Sequence, residues 1–434
     1  MKKRVSESKR ARRWRLRRLF LLIALALMLT TASVPPERAF DLRLAPLLGG
    51  QRFDWVGWET GVLLQEAGWW LGGRPLPGDE ASQEAEVLAF LDRQRQLAAL
   101  EDRVRGQGVQ LSPPRLASPA GRPADWPPSV VSLQRDLDEL RRQQQAAAPR
   151  VERVLAAQVG QVLAAEGLGR GDLLWLPVTF RFSDPPTYLI ISPRNEIRQY
   201  RGIYLLPDVP EAERASLEAA IESQLSVSAL VDDVGGIGSW PTMVINTTAL
   251  HSLLDIVAHE WAHTYLFFRP LGMHYEDSRD LTTMNETVAS IVGGEVADLV
   301  LARYYPELVP PAVKATESPA EAGGSAQDDF NQAMRRIRRR VDELLAAGRI
   351  SEAEAYMETE RQKLVAEGYR LRRLNQAYFA FHGSYATSPA SVDPIGPWLR
   401  RLRAQSGSLK AFVDQAAGMR RLDDLLRALG ESKP

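Results

Sequence analysis

Four of the chain's five histidines fall between His251 and His274, and two of them, His259 and His263, stand in the run LLDIVAHEWAHTYLFF. On a helix, positions four apart share one face about one turn apart, where two imidazole nitrogens can reach one zinc ion at about 2.0–2.1 Å. Glu260 follows His259 and can reach a zinc-activated water instead of the ion, which is where a general base must stand. The chemistry this arrangement allows is metal-assisted hydrolysis. Two satisfied histidines on a partly buried helix would show the same spacing, so the reading needs a third ligand and an open position.

The chain has no cysteine, so any zinc must be held by histidine and carboxylate, a donor set of catalytic rather than structural sites. Arg269 stands where HExxHxxGxxH would need a third histidine, which excludes that pattern. The candidate is Glu286 in TTMNETVASIVGGEVADLVL, set among Val288, Ile291, Val292, Val296, Leu299 and Val300. A carboxylate in apolar surroundings needs a partner; a cation supplies one, and the first turn of a helix would also stabilise it. Glu276, Asp277 and Asp280, on a polar stretch, are weaker alternatives.

The elements that must hold these residues follow from caps and periodicity. Thr247 or Thr248 can begin the helix carrying His259 and His263, with Pro270 ending it, and Thr282 or Thr283 can begin the next, with Glu286 in its first turn. Upstream, LLWLPVTFRF, a Ser183-Asp184-Pro185-Pro186 turn and TYLIIS predict a hairpin; 196–206 predicts a third strand. A helix is expected over 211–225, with SALVDDV and TMVIN as strands around Gly235-Gly236-Ile237-Gly238. After Asn246 the pattern is almost wholly helical. The fold class expected is α+β, with a small, mainly antiparallel sheet followed by the two helices of the site.

HEWAH followed by Asn285-Glu286-Thr287-Val288-Ala289-Ser290 resembles the gluzincin metallopeptidases, whose pattern is HExxH and then Asn-Glu-x-x-Ala on the next helix. Ser290 stands where the thermolysin version has aspartate, which is closer to the aminopeptidase-like members. LNQAYFAFHGSY (374–385) is loosely similar to a segment of bacterial aminopeptidase-like proteins. The resemblance implies a zincin-like domain over 169–305, Zn²⁺ held by His259, His263 and Glu286, and Glu260 as the base. It also implies an oxyanion donor downstream: Tyr385, with Tyr378 and His382 as alternatives. Asp255, one turn before His259, is a candidate to orient it, and Gly235–Val244 would be the edge that pairs with an extended peptide. No Gly-Ala-Met-Glu-Asn-type segment precedes the zinc helix, so endopeptidase and aminopeptidase action both stay open. The expected function is zinc-dependent hydrolysis of peptide bonds. The alternatives are an inactive zincin-like scaffold tethered to a membrane and a zinc hydrolase of a non-peptide amide.

The 434 residues carry 54 Lys+Arg and 54 Asp+Glu, and an apolar share of 45% that excludes a wholly disordered or collagen-like chain. The zero net charge divides unevenly. Residues 1–18 hold ten basic side chains against Glu7, a net +9, which leaves −9 for the rest. Leu19–Val34 follows without a charge, about 24 Å as a helix, and is expected to be a transmembrane anchor, or a signal cleaved near Ala32. The positive-inside rule then makes the tail cytoplasmic and the catalytic domain extracytoplasmic.

Between anchor and strands, a helical region is expected over 40–168, with tryptophans at 55, 58, 69 and 70, a proline-rich linker at 106–128, and helices over 129–147 and 150–167. A C-terminal helical subdomain is expected over 328–434, with a capping box at Ser351 and Glu354 and an apolar stripe of Phe330, Met334, Ile337, Val341 and Leu345. Arg335, Arg336, Arg338, Arg339 and Arg340 read as a solvated face. The partners expected are a peptide or protein substrate and the membrane, with no nucleic acid; nothing in the sequence speaks to oligomeric state.

Overall fold

The computed structural model describes residues 36–62, 78–106, 128–169, 176–207, 209–309, 326–383 and 394–431. The tail 1–18, the segment 19–34, Trp69, Trp70, linker residues 107–127 and Tyr385 lie outside them. The chain forms two compact units, 1–50 and 51–434. Of the first, the described part is helix α1 (Pro36–Leu48) and its following turn.

The α+β expectation is overturned: 67% of the described residues are helical, and the strands are short. The expectation of a single-pass membrane protein is corrected as well. Among the described residues no helix is long and apolar enough to cross a membrane, and the segment 19–34 on which that expectation stood is not among them.

Helices α2 (Glu80–Arg105) and α3 (Pro128–Ala165) pair first. Two helices broken near Pro149 were expected, but α3 runs through it. The lost hydrogen bond is offset by burial of Val151, Val154, Leu155 and Val159 in the main core. Strands β1 (Phe180–Phe182) and β2 (Thr187–Pro193) then part instead of forming the expected hairpin. β1 lies parallel to β6 (Thr242–Val244), which pairs antiparallel with β5 (Gly236–Ile237); β2 sits between β3 (Arg201–Leu205) and β4 (Val227–Asp232) in a separate antiparallel sheet. Pro185 and Pro186 have no N–H and hold the connection extended, so no tight turn closes there. Helix α4 (Glu211–Leu225) links β3 to β4.

Helix α5 (Leu250–Phe267), the single turn α6 (Pro270–Met273) and α7 (Arg279–Tyr304) come next. α5 and α7 pack on one another through Val257, Ala258, Trp261 and Ala262 against Val288, Ala289, Val292 and Val296. Helices α8 (Ala326–Ala346), α9 (Ile350–Ala366) and α10 (Gln376–His382) bury a second core of Met334, Ile337, Val341, Met357, Leu364 and Phe379. Helices α11 (Ile395–Gln405), α12 (Leu409–Ala417) and α13 (Leu422–Ala428) return to the first core through Leu399, Phe412 and Leu425.

Two local expectations fail here. Arg349, not Ser351, precedes α9, and Glu354 binds Arg194 at 2.7 and 2.5 Å. Arg338 is 1% exposed: its guanidinium is bonded to Asp342 and lies 5.5 Å from the Phe379 ring.

Three of the four sheet edges are covered by side chains or a crossing segment. On β4, Ala229 and Val231 donate to Glu222 (3.0 Å) and Glu218 (2.7 Å), while Asn375 and Arg372 donate to the carbonyls of the same two residues. On β3, Phe53 donates to the Tyr204 carbonyl and Leu206 to that of Gln51. On β1, Phe182 donates to Glu152, which also holds Arg181. Among the described residues, the outward side of β5 is the edge without such a cover.

The β4 cover centres on Glu218, fully buried and bonded to Arg372 at 2.8 and 2.6 Å. Arg372→Met is expected to lower stability by about 2 kcal/mol, because it removes the two-fold bonded partner of a buried carboxylate and leaves it only Arg373 at 3.3 Å and the Val231 N–H. A urea midpoint unchanged from the wild type would contradict this.

Candidate metal centre

The helix bearing the two histidines begins at Leu250 after Ala249, with no side-chain cap. The Thr247 hydroxyl only accepts a weak bond from the Ala249 N–H at 3.4 Å. Helix α7 begins earlier than expected, at Arg279, where the Ser278 hydroxyl accepts from the Leu281 N–H. Glu286 therefore lies beyond the first turn, out of reach of the helix N-terminal dipole, and needs another partner.

His259, His263 and Glu286 come together and could hold a metal ion. The two imidazole Nε2 atoms stand 3.0 Å apart, and Glu286 Oε2 lies 3.6 Å from the first and 3.5 Å from the second. Three ligands at about 2.0–2.1 Å from a tetrahedral ion would be about 3.3–3.4 Å apart, close to these separations. Glu286 is 5% exposed, and its Oε2 is a buried atom with no hydrogen bond. An orphaned buried carboxylate oxygen facing two imidazole nitrogens is what a cation would satisfy. Burial raises the Glu286 pKa, but attraction to His263 and His259, at distances beyond a hydrogen bond, prevails and holds it far below the usual carboxylate range. For His263, burial lowers the pKa and Glu286 raises it more, to about 9.

Neighbours fix the ligands' directions. The side-chain oxygen of Asn285, itself buried, accepts from His263 Nδ1 at 2.7 Å, which leaves the Nε2 lone pair for a cation. The Tyr275 hydroxyl donates to Glu286 Oε1 at 2.6 Å. Neither role was found in the sequence. Asn285 had a signal in its place beside Glu286; Tyr275 had none, since only folding brings its loop over α7. Asp255, the expected orienter, makes no hydrogen bond to His259 among the described residues; its carboxylate lies against Gly293.

Glu260 is 8% exposed and stands outside the ligand triad. Burial pushes its carboxyl up, more than His259 and His263 draw it down. Its oxygens lie under the β5 segment: a Cβ built on Gly236 would meet Oε1 at 3.0 Å and Ile256 at 2.7 Å, and one on Gly238 would meet Oε2 at 3.2 Å. Glycine at 236 is what lets a strand backbone pass over this carboxylate.

No protein-family model, curated protein or solved structure matches the chain. The candidate metal centre thus rests on its own geometry.

Among the described residues, the expected oxyanion donors Tyr378 and His382 make no contact with the triad. Tyr385 lies outside the described residues. The His382 ring is bonded to Asp232 at 2.8 Å and lies tilted by 40° against Tyr378, with centroids 4.3 Å apart. The α10 helix that carries both packs on β2 and β4. Burial, with Asp232 nearby, pushes the Tyr378 hydroxyl up to about 12. Two other tyrosines carry no signal in the sequence. Tyr188 and Tyr204, 4.6 Å apart on neighbouring strands, both feel the Glu286 charge, and Trp55 packs edge-on against Tyr204 at 5.1 Å.

Proposed function

We propose that the chain is a zinc-dependent metallopeptidase, with His259, His263 and Glu286 as ligands and Glu260 as general base. The observation that carries it is the place of Glu260, beside the triad but not in it, beneath the uncovered edge of β5. A His₂Glu donor set suits a catalytic zinc that keeps one position open. When bound, the ion supplies a Lewis acid that polarises a carbonyl and acidifies water.

The rest is done by the chain. Ile245 donates to Gly235 on the inner side of β5, so by alternation the N–H and C=O of Gly236 face outward. An extended peptide pairing there runs past Glu260. Glu260 accepts the proton of the attacking water and returns it to the leaving amine. Asn285 keeps His263 in the right tautomer throughout.

Protein dialysed against zinc is expected to retain about one ion per chain and to cleave members of a random peptide library. Chelation is expected to stop cleavage, zinc to restore it, and His263→Ala to abolish both binding and cleavage. Wild-type protein that leaves dialysis without zinc would sink the reading.

A further inference from the structure

The two oxygens of Glu286 have different surroundings. Oε2 is buried, unbonded and turned to the two imidazoles; Oε1 accepts the Tyr275 hydroxyl at 2.6 Å. That separation is in the range of charge-assisted O–H···O⁻ bonds, about 2.5–2.7 Å. Tyr275 is itself held in place. Its carbonyl accepts the Thr282 hydroxyl at 2.6 Å, its N–H donates to the Gly272 carbonyl at 3.2 Å, and its ring stands edge-on to His263 at 6.4 Å. Thr282 belongs to the first turn of α7, which also carries Glu286, so donor and acceptor share one frame.

We propose that Tyr275 is a positioning residue that confines Glu286 to coordination through a single oxygen. A carboxylate next to a divalent ion can bind through one oxygen or both, and the second oxygen would take the position that a catalytic centre keeps for its substrate. The phenol engages Oε1 in a strong bond, while Oε2 alone faces the imidazoles. The cation keeps three protein ligands and an open side as a result. This rests on the metal-centre reading above and adds to it the coordination number.

Cobalt(II) reports that number, since a tetrahedral ion absorbs visible light more strongly than a five-coordinate one. Apoprotein loaded with cobalt is expected to give intense tetrahedral bands, and X-ray absorption is expected to find one carboxylate oxygen close to the ion. Tyr275→Phe retains the ring and both backbone bonds, so its far-ultraviolet dichroism should match the wild type. Its visible bands should fall to the five-coordinate intensity. Identical cobalt spectra for the two proteins, or two carboxylate oxygens in the wild type, would overturn the role of Tyr275. A wild type that takes up no cobalt would instead overturn the metal centre beneath it.

Discussion

Glu260→Gln is expected to keep the metal and lose the reaction. The three ligand atoms come from His259, His263 and Glu286, so the substitution leaves the donor set whole. The amide is close in size to the carboxylate and fits the space under Gly236 and Gly238, which argues against a packing defect. What it lacks is a basic oxygen. General-base catalysis contributes about 10²–10⁴-fold, so kcat should fall by that order while zinc stoichiometry stays level. Steady-state kinetics on the best peptide substrate, with metal analysis of the same samples, separates the two quantities. Parallel loss of metal and activity would make Glu260 a structural residue and remove the base from the mechanism.

The second large effect concerns two adjacent glycines of α7. A Cβ on Gly293 would lie 2.3 Å from Asp255 Oδ1, 2.8 Å from the Asp255 carbonyl oxygen and 3.1 Å from His259 Cβ. Two of those neighbours belong to the backbone and to the root of a ligand side chain, which cannot swing aside. Gly293→Ala must therefore push α7 off α5, at about 1–3 kcal/mol for overpacking. Because Glu286 rides on α7 and both histidines on α5, the ligand spacing opens with it. Metal affinity should fall on the order of 10- to 100-fold, the scale of losing a residue that supports a ligand. Gly294 has nothing within 4 Å of its own Cβ position. Gly294→Ala should accordingly stabilise the helix by about 0.5–1 kcal/mol and leave metal affinity unchanged. Denaturant midpoints and metal titrations of the pair provide the comparison; equal behaviour of the two alanines would refute the close-approach argument.

These cases mark what could be read in advance. His259 and His263 were legible because their spacing is a property of one helix, and Glu286 because a carboxylate in an apolar run demands a partner. Gly293, Asn285 and Tyr275 act across elements, and nothing local distinguishes Gly293 from Gly294. The strands of 180–244 were recognisable by composition, but their partners were not. The two-proline turn predicts a hairpin, whereas it sends the chain from one sheet to another. The α+β expectation gives a window of short strands too much weight in a chain whose described part is mostly helix; the membrane expectation rests on segment 19–34, outside the described residues, among which no helix is long and apolar enough to cross a membrane. The charged neighbours of Arg338 predict a solvated side chain, but its burial depends on Phe379, some forty residues away.

The covered edges bear on what the proposed enzyme would accept. With β1, β3 and β4 closed by side chains or by residues 51–53, strand addition falls to Gly236. A guest can bond there only with main-chain groups not already engaged in its own folded structure. Selection would thus act on the state of the substrate before its sequence: unstructured tails, loops and damaged proteins would be admitted, and intact domains refused.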